Sequence, residues 1–566
     1  MTGENKGLAG LLLRAFLTAL LLCLAAARGD AQFFETERTT EGVREFAFVT
    51  VTDGTQLATD YYLPSKEGGP WPVLLVRSTY GRNFNYDGHI RGGYAVVAQD
   101  LRGMGGSGGE GHVFYYDGWR TGITDGKDTV DWIRAQPWCN GKIGTMGESA
   151  LAMTQVMLAP ATSHVAAQFM ELVPTNFYHD VVYHGGVFKK NLVEGWLMLV
   201  GQPQITDLYK SHPRYNEFWS YYNSNAQAGS ITAPGMFVNG WYDIFSQGTI
   251  NGFLSRERNG GEGARGANYL IMRWNTHTSA RSPDYKLRDN ADDVRESELR
   301  KKFFDYHLKG DSHALEGMPK VQYYVLGDDR DPNAPGNVWR SSDTWPPGSV
   351  TEKAFFLHGD SRMDAGAPGA DEPALDFVFD PRDPYPTHGG ANLLPNLVAG
   401  PYDQRLYSGS RTDLIKFATA PLAEPLEIAG HVRVVLYVSS DAPDTDFTAK
   451  LVDIFPEGDG REINILDNIR RVKTRMGYET AAPPLNGPEQ VVELEIDMWH
   501  TAWAFNKGHR IGLHVSSSNF PRFEVNPNTG EDHPVDGGEM RAAGNRVHFS
   551  PSRPSALYLP VSAAES

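Results

Sequence analysis

The sequence predicts an α/β domain with a mostly parallel sheet, interrupted by a helical insertion and followed by an all-β domain of jelly-roll type. Three observations predict it. Short, near-continuous apolar runs at Pro72–Val76, Tyr94–Ala98, Ala166–Val173, Pro234–Gly240 and Asn268–Met272 alternate with helical stretches and turn residues. Such runs suit parallel strands buried on both faces. From about Thr175 to Ser230 strand alternation gives way to a stretch rich in Tyr, Trp, His and Asn. Beyond the joint Trp345-Pro346-Pro347-Gly348, segments such as Val432–Val438, Ala449–Ile454, Val491–Ile496 and Ile511–Val515 alternate, the pattern of a β-sandwich.

A chain of 566 residues is too long for one core, so two or three domains are expected. Residues 1–31 read as a secretory signal: Lys6 and Arg14 precede an apolar run, Ala15–Ala27, and small residues close it at Gly29-Asp30-Ala31. The run is too short to span a bilayer comfortably, so no stable membrane span is expected after cleavage, and the protein is expected to be secreted or periplasmic. Cys139 alone would remain, which excludes an intrachain disulfide. The formal net charge of −17 argues against nucleic acid as a partner, and a small-molecule substrate is expected instead. A homo-oligomer is compatible with this composition.

Residues 32–174 and 231–345 are assigned to the α/β domain, 175–230 to a helical cap and 349–566 to the sandwich. The first strand alternates from Glu45, with Phe46 and Phe48 on one face and Ala47, Val49 and Val51 on the other. A turn at Asp53-Gly54 leads to a strand at Leu57–Leu63. The glycine-rich stretch Asp100–Gly109 lacks the Gly-Lys-Ser/Thr ending of a phosphate-binding loop and reads as a close-packed loop near the site. Asp125–Ala135 is a helix, with Val130, Trp132 and Ile133 on its apolar face, and Glu298–Leu308 is a second, ending at Lys309-Gly310. No Cys/His spacing suits zinc, and the acid-rich Asp441–Asp446 reads as a solvated turn, since the glycine and terminal glutamate of a calcium loop are absent. Neither a metal nor a cofactor is expected.

Chemistry concentrates at Lys142–Ala152. Ile143–Met146 reads as a short buried strand and Ala150–Leu158 as a helix, with Gly147-Glu148-Ser149 between them. A sharp strand-to-helix turn of this kind exposes a serine Oγ above a sheet edge. Leu151 stands where a second glycine would complete the usual motif. A serine nucleophile needs a base, and the base needs an orienting acid. On the α/β-hydrolase fold these follow in the order Ser, Asp, His, each past the C-terminal end of a strand. Asp243 follows the strand Met236–Asn239, and His277 follows Tyr269–Met272.

Ordered motifs add a resemblance. Tyr80-Gly81-Arg82, Asp100-Leu101-Arg102-Gly103, Pro137–Gly144, Gly240-Trp241-Tyr242-Asp243, Leu308-Lys309-Gly310, Pro384–Gly390 and Ser516–Arg522 resemble the CocE/NonD-type serine hydrolases, grouped with cocaine esterase, glutaryl-cephalosporin acylase, α-amino acid ester hydrolases and X-Pro dipeptidyl-peptidases. The resemblance implies an α/β-hydrolase domain with an inserted helical cap and a C-terminal jelly roll. It also implies Ser149 as nucleophile, His277 as base and Asp243 as its acid, with Tyr80 and the backbone N–H of Ala150 stabilising the oxyanion. Trp241, Phe245 and Glu148 are the expected substrate-binding residues.

This sequence departs from the family pattern in three places: Ala150 for the usual tyrosine after the serine, Glu148 before it, and Arg273-Trp274-Asn275 for the Gly-Pro-Trp that commonly precedes the histidine. The expected activity is cleavage of carboxylic esters or amides through an acyl-enzyme. Ile244, Phe245 and Ser246 follow the acid where α-amino ester hydrolases carry carboxylates, so uncharged aromatic or aliphatic acyl groups are expected to be preferred. Xaa-Pro dipeptidyl-peptidase activity is one alternative, kept open by Glu148 and Glu171. A non-catalytic carbohydrate- or protein-binding jelly roll is another.

Overall fold

The structure, a computed structural model, describes residues 39–563 apart from 121, 123, 371, 395 and 396; the signal expected at 1–31 lies outside the described residues. Strands β1 (Val43–Thr50), β2 (Gln56–Leu63), β3 (Trp71–Ser78), β4 (Ala95–Asp100), β5 (Cys139–Glu148) and β6 (Ala167–Glu171) precede the cap. The cap carries a small hairpin, β7 (Tyr183–His184) and β8 (Val187–Phe188), and β9 (Gly235–Tyr242), β10 (Tyr269–Thr276), β11 (Val321–Gly327) and β12 (Val338–Ser342) follow it. Hydrogen bonding orders one sheet as β1-β2-β4-β3-β5-β6-β9-β10-β11-β12. It is parallel from β4 to β11 and antiparallel at both edges. Val73–Val76 and Ala95–Ala98 are buried throughout, as strands covered on both faces by helices must be.

The first strand keeps its expected alternation: Phe46 and Phe48 face solvent, whereas Val49 and Val51 are buried. The helix Asp125–Arg134 packs Val130 and Ile133 inward. The helix Glu296–Lys309 ends at Gly310, whose φ of +76° is the left-handed conformation a helix C-terminus favours. Its Phe304 lies against Gly144 of β5, where a Cβ would meet the ring at 2.7 Å. The Asp100–Gly109 loop is held from within, Gly106 N donating to Asp100 Oδ2 at 2.7 Å and Arg102 pairing with both Asp125 and Asp53.

Between β6 and β9 the expected cap consists of short helices, chiefly Lys190–Leu199, Ile205–Lys210 and Glu217–Ser220, together with the β7–β8 hairpin that sequence alternation did not reveal. Two residues per strand are too few to register a period of two.

The C-terminal strands form two sheets. In one, Leu426–Ser440 pairs with Val492–Phe505 on one side and with Ala543–Ser550 and Ala556–Ser562 on the other. The second runs Ile415–Ala418, Arg510–Ser516, Asp446–Ile454, Glu462–Arg471. Asp441–Asp446 is not the solvated turn expected from its acids. Asp441 is exposed, but Asp444 and Asp446 are buried, Asp446 pairing with the buried Arg471 and both accepting from Asn526 Nδ2. Among the described residues no group of three or more His, Cys, Asp or Glu is arranged to hold a metal ion.

The sandwich and the α/β sheet share one apolar core, which runs from Phe237 and Met272 through Trp345 to Val434 and Leu513. Leu326 of β11 pairs with Trp503, extending the ladder from one sheet into the other.

Candidate active site

Three loops at the C-terminal ends of β5, β9 and β10 converge. Ser149 adopts φ 55° and ψ −120° between β5 and the helix Ala150–Leu158. Positive φ is costly for a residue with a Cβ, and such strain persists only where surrounding structure imposes it. Here Ser149 N donates to Glu171 O of β6 at 3.0 Å, and Gln155 Nε2 donates to Gly147 O at 3.2 Å and Phe169 O at 3.1 Å. Gly147, at φ 142°, leaves the space that Leu151 fills: a Cβ on Gly147 would sit 2.6 Å from the Leu151 Cβ. The glycine before the serine is therefore required, and the one after it is not.

Asp243 follows β9 and is fully buried. Its Oδ1 accepts from Phe245 N at 2.7 Å, and its Oδ2 lies in short hydrogen-bond contact with His277 Nδ1. The other ring nitrogen, Nε2, is 2.9 Å from Ser149 Oγ. One imidazole thus bridges a carboxylate and a serine hydroxyl that lie far apart in the chain. The replaced Gly-Pro-Trp stretch is held by other means: Arg273 pairs with Glu296, Trp274 Nε1 donates to Asp292 Oδ1 at 3.0 Å, and Asn275 Nδ2 to Ser279 Oγ at 2.7 Å.

Ala150 begins the helix after Ser149, where a first-turn N–H has no acceptor within its own helix. Tyr80 sits at the start of the loop after β3, and its hydroxyl accepts from Trp196 Nε1 at 2.8 Å. Burial raises the Tyr80 phenol above its ordinary value, so the group remains an O–H donor at neutral pH. Trp196 is one of the aromatics of the expected cap, and its bond to Tyr80 was not foreseen. It stands in the aromatic-rich cap with no motif around it.

A pocket of about 450 Å³ opens beside Ser149 and Ala150. Its walls include Phe114, Phe177, Val193, Trp196, Leu197 and Phe245, and among the described residues no carboxylate or ammonium group lines it. Of the three residues expected to touch substrate, Phe245 lines the pocket and stands edge-on to the His277 ring at 5.6 Å. Trp241 does not reach it. Its indole is buried at the domain junction, donating to Tyr324 O at 2.7 Å and packing on Trp345 at 5.6 Å. Glu148 is exposed beside the serine and outside the pocket wall. Partial desolvation, and then the charge of Glu171, raise its carboxyl above the ordinary value. Glu171 itself is paired with Arg300 at 2.7 Å.

Comparison with known proteins agrees with this architecture. Residues 53–207 and 198–279 match the X-Pro dipeptidyl-peptidase (S15 family) model, and residues 312–558 match the X-Pro dipeptidyl-peptidase C-terminal non-catalytic domain. Cocaine esterase of Rhodococcus sp. (strain MB1 Bresler) is 32% identical across 91% of this chain and 97% of its own length. An aminopeptidase from a marine sediment archaeon, Thaumarchaeota archaeon, shares the fold with a TM-score of 0.78 at 21% identity, covering 94% of this chain and 99% of its own. An α-amino acid ester hydrolase does so with a TM-score of 0.75 at 22% identity, covering 93% and 98%.

With this fold and these relatives, the molecule is a serine hydrolase, and an ester- or peptide-cleaving one. The chain belongs to the CocE/NonD family, which joins an X-Pro dipeptidyl-peptidase-type catalytic domain to a strand-rich C-terminal domain.

Proposed function

We propose that the chain cleaves carboxylic esters or amides through an acyl-enzyme, with Ser149 as nucleophile, His277 as general base and Asp243 as its orienting carboxylate. The observation that carries this reading is the single imidazole spanning Ser149 Oγ and the buried Asp243. Ser149 Oγ attacks the acyl carbon while its proton passes to His277 Nε2. The Tyr80 hydroxyl and the Ala150 N–H receive the negative charge that develops on the acyl oxygen, where fixed donors lower the barrier most. The acyl–leaving-group bond then breaks, and the leaving group takes the proton from His277. Water, deprotonated by the same imidazole, releases the acid and restores Ser149.

The apolar pocket beside Ser149 supports aromatic or aliphatic acyl groups as the preferred class, since a protonated α-amine would lose its hydration there without a counter-charge. Full-length protein should react with a fluorophosphonate probe and hydrolyse p-nitrophenyl esters, and Ser149→Ala should do neither while remaining folded. Labelling and turnover retained in that variant would sink the assignment. Phenylacetyl or benzoyl esters should also show higher kcat/KM than phenylglycine esters of the same leaving group.

A second reading, removal of Xaa-Pro dipeptides, is supported by the family model and by Glu148, a carboxylate beside the nucleophile that could receive a free N-terminal ammonium. Faster cleavage of Xaa-Pro amides than of aryl esters would favour it. Export by way of residues 1–31 is proposed on their signal-like pattern alone. N-terminal sequencing of the protein from the extracellular or periplasmic fraction should find a start near Gln32.

A further inference from the structure

Behind the acid lies a lysine that the steps above do not use. Lys189 stands between the β7–β8 hairpin and the helix Lys190–Leu199, and its side chain is buried. Its Nζ donates to two backbone carbonyls, Asp180 O at 2.8 Å and Ile244 O at 3.2 Å. Desolvation and then the charge of Arg522, opposed in part by Asp180 and Asp243, bring the ammonium down to about 7. The charged groups facing it are Asp180 from the cap, Asp243 from the turn after β9 and Arg522 from the C-terminal domain. The rings of Phe245 and Trp499 each lie 5.7 Å away.

A buried lysine is a costly way to satisfy two carbonyls, and the position of those carbonyls gives it a purpose. Ile244 lies between Asp243 and Phe245, so its carbonyl belongs to the turn that aims the acid at His277. Phe245 closes that turn through its N–H to Asp243 Oδ1 and presents its ring to His277. On the other side, the helix that begins at Lys190 supplies Val193 and Leu197 to the pocket and Trp196 to the Tyr80 hydroxyl. One side chain therefore ties the root of the pocket helix to the acid turn.

We propose that Lys189 is a positioning residue: its hold on the Ile244 carbonyl keeps the Asp243–Phe245 turn in register with the pocket helix, so that pocket wall, acid and imidazole act as one rigid unit. A neutral amine keeps two N–H donors, one for each carbonyl, so the hold survives loss of the proton and is geometric. The proposal rests on the assignment of Ser149, His277 and Asp243 given above.

The test measures kcat per active serine in the full chain, with active sites titrated to completion by a fluorophosphonate, for Lys189→Met and Lys189→Gln. Loosening the acid turn should lower kcat of the methionine variant by about tenfold to a hundredfold. KM for an apolar-acyl ester should change less than kcat, because every side chain of the pocket wall is retained. The glutamine variant, which retains an N–H donor on a shorter side chain, should lose less, about threefold to tenfold. Normalising to titrated serine removes any loss due only to misfolded protein. A kcat per titrated site within about twofold of wild type in either folded variant overturns the proposal. If the methionine variant does not fold, the glutamine variant decides by the same criterion; if neither accumulates as folded protein, Lys189 is a folding residue and the proposal fails. Absence of labelling in the wild-type chain, or activity in Ser149→Ala, would instead overturn the underlying assignment.

Discussion

The Tyr80 phenol illustrates how one atom's role depends on what holds it. Its oxygen accepts the Trp196 indole N–H, which restricts the ring's orientation. Tyr80→Phe should therefore reduce kcat by roughly 10²–10³, the usual loss for one oxyanion donor, with KM little changed. Trp196→Phe removes that restraint and also trims one wall of the pocket beside Ser149. One neutral hydrogen bond contributes on the order of 1 kcal/mol, so steady-state kinetics should show a loss of about fivefold to tenfold. A Trp196→Phe loss equal to that of Tyr80→Phe would mean that the indole itself meets the substrate. Ser149, Asp243 and Tyr80 were legible as residues because each stands in a motif at a strand end. Trp196 was legible only as one of several cap aromatics, and Lys189 not at all, because their partners lie in other segments.

At the level of elements, the turn from β5 into the helix Ala150–Leu158 stores strain at Ser149 and relies on Gly147 for room. Gly147→Ala would place a Cβ 2.6 Å from that of Leu151, in a conformation that L residues rarely adopt. The backbone cost alone is on the order of 1–3 kcal/mol. The structure can relieve the clash only by moving the turn, so the expected outcome is a lower Tm and loss of fluorophosphonate labelling together. Labelling at the wild-type rate would show that the turn tolerates a Cβ there. Gly147→Ala with Leu151→Gly should recover part of the labelling, because the second change empties the space the first one fills. Strand and helix were readable here from periodicity and from one glycine. The support from Gln155 was not, since its acceptors lie on two different strands.

Across the whole molecule, the α/β sheet and the sandwich are joined by polar as well as apolar contacts. His509 sits between Asp328, after β11, and Asp453 of the sandwich, at 3.2 Å and 2.8 Å. Burial opposes its charge, but the hydrogen bonds it donates to Asp328 and Asp453 outweigh that and raise the imidazole from 6.5 to about 9. A group raised in this way stabilises the fold fully below its unfolded value near 6.5, and the contribution fades as pH rises through about 9. Thermal unfolding followed by circular dichroism should thus show Tm falling between pH 7 and pH 9.5, and His509→Gln should flatten that slope while lowering Tm at pH 7. An unchanged slope in the variant would move the alkaline sensitivity elsewhere.

The sequence by itself determined the fold class, the order of serine, acid and histidine, and the strand ends that carry them. Those features are written in short-range patterns: runs of apolar residues, turn glycines and the sequence of elements along the chain. Periodicity tells which face of a strand turns inward, but not what meets it there. Trp241 stands two residues before the acid and reads as a pocket residue, yet only tertiary packing turned it towards Tyr324 and Trp345 at the domain junction. The same holds for Asp444 and Asp446, acids that read as solvated until Arg471 and Asn526 are brought against them. Phe245 was expected at the pocket from its place after the acid, but Phe114 and Val193, from two other segments, were brought to the same wall by tertiary structure. A side chain's surroundings are set by which distant elements pack beside it, and local sequence carries no record of that choice.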